Sequence, residues 1–180
     1  MGGPRETEVK IRVASAEAAR ALLRRAGAVL VRERHFEDNV LFDDARGTLR
    51  ASGGVLRLRT TPDGGALTYK GPRTIEGGVK TREERESAVA RPGEVEAILL
   101  RLGLAPVFRY QKHRESWSLG GQAVEVDETP IGDFLEIEGD AAGIHAVARQ
   151  LGFSAADYVA ESYIGLFFAG GGRGDMVFPR

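Results

Sequence analysis

The chain has 180 residues, of which 42% are hydrophobic and 28% charged, and its formal net charge is −1. That is long enough for one substantial core, with the balance of a soluble globular protein and no global field toward nucleic acid or an anionic membrane. The absence of cysteine excludes disulfides, thiolate metal sites and cysteine nucleophiles. No apolar run approaches the ~20 residues of a membrane span and no secretory core opens the chain, so a cytoplasmic protein without nucleic-acid or membrane partners is expected.

The first element is a strand over Arg5 to Val13, where charged and apolar residues alternate. A period of two puts Glu6, Glu8, Lys10 and Arg12 on one face and Val9, Ile11 and Val13 on the other. Ser15 caps a helix that runs to about Ala26, with Ala19, Leu22, Leu23 and Ala26 as one apolar stripe and Gly27 as its stop. Val29 to Asp43 is a long, partly extended stretch, and Asp44 to Gly54 is a loop rich in turn residues.

Val55 to Thr60 is a strand with Arg57 and Arg59 on one face. Pro62-Asp63-Gly64-Gly65 signals a hairpin, and the returning strand, Ala66 to Lys70, aligns Thr68 with Lys70. Arg73 to Gly78 reads as a flexible loop. Val79 to Val89 aligns Lys80, Arg82, Glu84 and Glu86. A second helix runs from Pro92 or Gly93 to Leu102, stopped by Gly103. Val107 to Leu119 aligns Phe108, Tyr110, Lys112 and Arg114. After Gly120-Gly121, the strand Gln122 to Asp127 sets Glu125 and Asp127 on one face, and Asp133 to Glu138 does the same with Glu136 and Glu138. A third helix starts near Asp140 and is closed by Gly152, and a last helix is expected from Ser154 and Asp157 through Tyr163 to Phe168. Residues 170–180 are glycine-rich and are expected to be a frayed tail beyond a single domain of residues 1–169. Strand, helix, three strands, repeated once, hints at a duplicated four-strand unit.

Each helix carries one apolar stripe, and each strand has one apolar face to receive it. If the helices cover the outside, the charged faces point inward. About eight antiparallel strands close into a barrel and so remove their edges. The expected fold is therefore α+β: a closed eight-stranded antiparallel barrel with a charged interior and helices packed outside. Buried charge at that density is costly unless it is paired or meets a charged ligand. Arginine and lysine rows suit phosphate oxygens, while carboxylates at i and i+2 are hard oxygen ligands for Mg²⁺ or Mn²⁺. Together they suit a nucleoside triphosphate or another triphosphate with bound divalent metal. The chain has no Gly-x-x-x-x-Gly-Lys loop, so this is not P-loop chemistry.

Glu6-x-Glu8-x-Lys10 resembles the N-terminal E-x-E-x-K signature of the CYTH superfamily, the triphosphate tunnel metalloenzymes. The resemblance continues in order through Leu56-Arg57-Leu58-Arg59, Leu67-Thr68-Tyr69-Lys70-Gly71-Pro72, Arg82-Glu83-Glu84-x-Glu86 and Lys112-x-Arg114. It closes with Val126-Asp127-Glu128, Gly132 to Glu138, and Ser162-Tyr163. It implies an eight-stranded tunnel in which Lys10, Arg57, Arg59, Lys70, Lys80, Arg82, Lys112 and Arg114 hold the triphosphate. It also implies metal held by Glu6, Glu8, Glu136 and Glu138, with Asp127 a further candidate ligand. Lys10 and Lys70 are candidates both for binding phosphate and for helping to activate the attacking group.

Class IV adenylate cyclases look most similar, which implies conversion of ATP to cyclic AMP and pyrophosphate. Inorganic and thiamine triphosphatases are related members, and a non-catalytic triphosphate- or polyphosphate-binding module is the reading from another class. Arg34 to Asp43 lacks the glutamine often seen in cyclase-like members. A homodimer through the outer helices is also expected.

Overall fold

The computed structural model describes residues 5–179. In order these are β1 (Arg5–Val13), α1 (Ala16–Arg25), β2 (Val29–Asp44), α2 (Thr48–Ala51), β3 (Val55–Thr61), β4 (Gly64–Glu76) and β5 (Val79–Val89). There follow α3 (Pro92–Arg101), β6 (Leu104–Leu119), β7 (Gln122–Thr129), β8 (Gly132–Glu138), α4 (Ala141–Gln150), a 3-10 turn (Ala155–Asp157) and α5 (Tyr163–Ala169). The strands form a closed barrel in the order β1-β5-β4-β3-β2-β6-β7-β8, antiparallel throughout. Exchanging β1–β4 with β5–β8 leaves this ring order unchanged, so the two halves are topologically equivalent, as the repeated element order hints.

The alternation of the strands decides which way they face. Val9 and Ile11 of β1, Val124 and Val126 of β7, and Leu135 and Ile137 of β8 point outward into a core with Ala19 and Leu23 of α1 and Ile144, Val147 and Ala148 of α4. A second outer core sets Leu99 and Val95 of α3 against Phe42, Leu56, Leu58 and Leu67. The apolar layer therefore lies outside the barrel wall, and the opposite faces of the strands turn inward. Local signals hold the helices: Ser15 Oγ accepts from Ala18 N–H at 3.1 Å, and Asp140 Oδ1 accepts from Gly143 N–H at 2.9 Å. Gly27 and Gly103 end α1 and α3 with φ of 77° and 85°, a left-handed conformation that costs glycine little.

Four stretches depart from the sequence reading. The expected loop over 44–54 contains α2, whose free N–H groups at Leu49 and Arg50 donate to Asp43 and that at Thr48 to Asp44. The expected loop over 73–78 is mostly strand: β4 continues to Glu76 past an irregularity between Lys70 and Arg73. The last helix is two elements. Ser154 and Asp157 close a capping box around the 3-10 turn, and α5 starts afresh with Ser162 as its cap. The expectation of a frayed tail took no account of Met176, which is fully buried against Tyr110, Phe134 and Tyr163. β7 reaches only to His113 along β6, and the tail continues the pairing from there. Met176 donates to Arg109 O at 3.0 Å and accepts from Gln111 N–H at 2.9 Å.

α5 closes one end of the barrel. Tyr163 packs edge-on to Phe134 at 5.0 Å between ring centres, and Phe167 packs on Phe108 at 6.0 Å. No helix among the described residues is long and apolar enough to cross a membrane.

Met176 tests the docking of the tail. Met176→Ala is expected to cost about 2–5 kcal/mol, the range for truncating a buried methionine, read from urea unfolding. A change below about 0.5 kcal/mol, typical of surface positions, would show that the tail does not contribute.

Candidate functional site

The inward faces enclose a cavity of about 870 Å³. Ten cations and seven carboxylates line it, together with Tyr110, Tyr163 and a few apolar side chains near α5. Every lysine and arginine expected at the substrate is there: Lys10, Arg57, Arg59, Lys70, Lys80, Arg82, Lys112 and Arg114. So are Glu6, Glu8, Glu136 and Glu138. Residues from β1, β3, β4, β5, β6 and β8 meet here because the barrel closes, bringing Glu8 directly opposite Glu138 and Lys10 opposite Glu136.

The cations are engaged with the carboxylates. Lys10 Nζ donates to Glu136 Oε1 at 2.6 Å, and its ammonium lies 4.2 Å from the centre of the Tyr163 ring. Lys70 Nζ bridges Glu6 at 2.8 Å and Glu84 at 2.6 Å, while Lys80 donates to Glu8. Arg59 donates to Glu86 Oε1 at 2.9 Å and to Glu37 Oε1 at 3.4 Å. Arg57 donates to Tyr110 Oη at 3.3 Å and Thr68 Oγ1 at 3.2 Å. Arg82 is different, since Nε and Nη2 both donate to one neutral acceptor, the Gly71 carbonyl, at 3.0 and 2.6 Å.

Asp127 is not brought to the cavity. It is completely buried behind the lining, where it accepts from Lys112 Nζ at 2.9 Å, Arg114 at 2.7 and 2.6 Å, and Tyr163 Oη at 2.8 Å. Its two oxygens are filled by protein donors, which fixes Lys112 and Arg114 in place. Arg114 also donates to Glu136.

The carboxylates divide by environment. Burial works against ionising Glu136, but Lys10, Arg114 and Lys112 hold it well below the ordinary range. Glu6 is likewise buried, yet the hydrogen bond shared with Glu84 and the charges of Lys70 and Lys80 bring it down to about 2. Its neighbour moves the other way: burial and the hydrogen bond to Glu6 push Glu84 up to about 7, against the pull of Lys70. Burial and the proximity of Glu6 also raise Glu138, which has no ion-pair partner among the described residues. Glu6, Glu8 and Glu138 thus concentrate negative charge across the β1–β8 seam, where directly opposed like charges are unfavourable.

As they stand, no three acidic or histidine side chains among the described residues are gathered closely enough to hold an ion. Glu6, Glu8 and Glu136 are turned toward cations instead. The chemistry of the donor set is that of a hard-cation site. It is all carboxylate oxygen, and a cation between Glu8 and Glu138 would relieve their opposition.

Sequence reasoning missed Tyr110 and Arg73, which line the cavity, and Glu37, which like Asp127 lies behind its lining. Glu37 is 1% exposed and sits 3.7 Å from Lys112, its carboxyl held low against burial by Lys112 and His35. The signal was present, because Glu37, Asn39 and Leu41 alternate along β2. The long strand around them hid it.

Glu84 carries a stability test. A carboxyl raised to about 7 in the folded protein holds a proton that an unfolded glutamate, near 4.3, has already released. Its contribution is therefore complete below about 4.3 and declines as pH rises toward 7. Urea unfolding of the wild type between pH 5 and 8 is expected to show this decline, and Glu84→Gln to flatten it. Parallel curves for the two proteins would rule out the raised carboxyl.

The CYTH domain family model matches residues 4–163. A protein of Methanocaldococcus jannaschii named "putative adenylate cyclase" is 24% identical over 172 residues, which cover 89% of this chain and 97% of that protein. The crystal structure of a Vibrio parahaemolyticus protein, also described as a "putative adenylate cyclase", has a TM-score of 0.80 at 21% identity, covering 92% of this chain and 99% of that one. A Hippeastrum protein has a TM-score of 0.71 at 19% identity, covering 93% and 97%; it is described as a "putative adenylyl cyclase" with a dominant triphosphatase activity. The matched span takes in all eight strands of the barrel and every charged side chain that the sequence placed at the substrate. The chain belongs to the CYTH domain family.

Proposed function

We propose that the protein is a divalent-metal-dependent enzyme acting on a triphosphate, with cyclisation of ATP to cyclic AMP and pyrophosphate as its reaction. One observation carries this reading: one cavity presents ten cations and seven carboxylates, and once Glu37 and Asp127, paired to Arg59, Lys112 and Arg114 from behind the lining, are added, both signs stand in near balance with the cations ahead. An anion binder alone gains little from so many carboxylates, whereas a polyanion accompanied by a cation uses both signs. The names of the similar proteins point to cyclase chemistry.

On this reading Glu6, Glu8, Glu136 and Glu138 would hold Mg²⁺ or Mn²⁺, which when bound supplies neutralising charge to phosphate oxygens. Asp127 is assigned a different role from that of a ligand, as the anchor of Lys112 and Arg114. The lysines and arginines exchange their carboxylate partners for phosphate oxygens, holding the chain in line for displacement. Arg57 and Arg59 suit forked contacts, and Arg114, pinned on one side by Asp127, keeps its direction as substrate arrives.

In the cyclase reaction the ribose 3′-oxygen bonds to the α-phosphorus, the α–β bridging oxygen leaves with pyrophosphate, and the hydroxyl proton is released. Lys10 and Lys70 both enter as charged donors already ordered by Glu136 and by Glu6 and Glu84. This favours work on phosphate oxygens and the leaving group over removal of a proton.

A second reading, hydrolysis of the terminal phosphate of inorganic or thiamine triphosphate, is favoured by the activity described for the similar Hippeastrum protein. The same clamp serves it, with water as nucleophile.

Turnover with Mg²⁺ or Mn²⁺ and each of ATP, inorganic triphosphate and thiamine triphosphate separates the readings. Cyclic AMP with pyrophosphate is expected from ATP. Orthophosphate release would identify the triphosphatase, and tight binding without product would sink both. Glu8→Gln or Glu138→Gln is expected to lower kcat about a hundredfold at unchanged fold; full activity at the same metal requirement would remove these residues from the metal site. Arg59→Ala is expected to weaken substrate binding by about 2–5 kcal/mol, the cost of losing one partner of a desolvated charge pair.

A further inference from the structure

One corner of the cavity is built differently from the rest. Alternation along β4 turns Lys70 inward, so Pro72 should follow it and Arg73 should face out. The irregularity between Lys70 and Arg73 changes this. Lys70 pairs with Glu84, yet Arg73 pairs with Arg82, so β4 holds one residue more than β5 over the same span. That is a β-bulge, a device that re-aims side chains. It moves Arg73 to the inward position, and both Arg73 and Arg82 line the cavity.

The result is two arginines directly opposite each other on neighbouring strands, an arrangement that is unfavourable when nothing stands between them. Elsewhere in the cavity cations face carboxylates. On its β1 side Arg82 stands opposite Glu6, yet it donates only to the Gly71 carbonyl, on the bulge itself, and makes no ion pair among the described residues. Burial depresses the Arg82 guanidinium below its ordinary value against the pull of Glu6 and Glu84, and the charge of Arg73 adds to the depression. Arg73 has one partner, Glu161 just before α5, at a loose 3.7 Å and with both side chains substantially exposed. A bulge that turns an arginine inward to face another arginine, and leaves it a weak partner, carries a repulsion that an anion between the two would relieve.

We infer that Arg73 and Arg82 form an anion subsite at the mouth of the cavity, which takes the outermost phosphoryl group of a phosphate chain that reaches past Lys70. At about 3.3 Å per residue, Arg73 lies within about 10 Å of Lys70 along β4, so a chain held by the inner clamp arrives at Arg73 only if it is long enough. The subsite therefore reads chain length. Glu161 occupies Arg73 when no anion is present and competes with it. The inference rests on the proposed binding of phosphate chains in this cavity.

Calorimetry with inorganic diphosphate, triphosphate and tetraphosphate in the absence of divalent metal, on wild type, Arg73→Ala, Arg73→Lys, Glu161→Gln and Arg59→Ala, tests it. Arg73→Ala is expected to lose about tenfold in affinity for the longer chains and under twofold for diphosphate, with Arg73→Lys recovering part of the loss and Glu161→Gln tightening the longer chains. Arg73 is exposed, so its variants should unfold at the wild-type midpoint. Loss from Arg59→Ala with none from Arg73→Ala, or an equal loss from Arg73→Ala at every chain length, would overturn the subsite and leave the proposed function standing. A wild-type protein that binds none of the three would overturn the proposed function, and the subsite with it.

Discussion

Lys70 sits between Glu6 and Glu84, at 2.8 and 2.6 Å, and shows what a charged lumen demands of the fold around it. An ammonium and two carboxyl groups from three adjacent strands meet inside a barrel, and without the ammonium the two carboxyl groups would be left against each other. Desolvating charge is expensive, and a pair recovers that cost only with good geometry. The lumen meets this demand by giving most cations a carboxylate on the facing or neighbouring strand. Where the demand is met imperfectly, as at Glu138 or between Arg73 and Arg82, the protein carries a standing surplus of one sign. Those imperfections are the places where a ligand has most to contribute.

The fold follows from the same requirement. A lumen full of charge cannot serve as a hydrophobic core, so the core is moved outside, where α1, α3 and α4 cover the apolar faces of the strands. Closure removes the sheet edges and also brings β8 beside β1, joining carboxylates more than a hundred residues apart in sequence. α5 then shuts one end with an aromatic cluster, and Tyr163 links this plug to the polar interior through Asp127. Aromatic packing at the plug and electrostatic order in the cavity share that residue.

What the sequence disclosed and what it hid divide along physical lines. β1 was legible to its end residues because nothing interrupts its alternation, and the same regularity exposed Arg57 and Arg59 on β3 and Glu136 and Glu138 on β8. The barrel could be argued from the mismatch between apolar stripes on helices and charged rows on strands. Periodicity fails where the backbone departs from it. The bulge after Lys70 inverts the parity of β4, so Arg73 looked like part of a loop and its inward position could not be read. Asp127 sits in the expected row, but whether a carboxylate is open to a ligand depends on its neighbours. Three of those, Lys112, Arg114 and Tyr163, converge on it from other elements. Met176 sits in a glycine-rich tail whose composition says nothing of the unpaired edge of β6 that receives it.

On the proposed function, the ion pairs of the lumen are exchanged for contacts to a triphosphate and its metal. A crystal structure with Mn²⁺ and a non-reactive ATP analogue tests this directly. Anomalous signal is expected between Glu8 and Glu138, with Lys70 and Lys80 drawn off Glu6 and Glu8 onto phosphate oxygens. A triphosphate bound outside the barrel, with the Lys70–Glu6 and Lys80–Glu8 pairs intact, would contradict it.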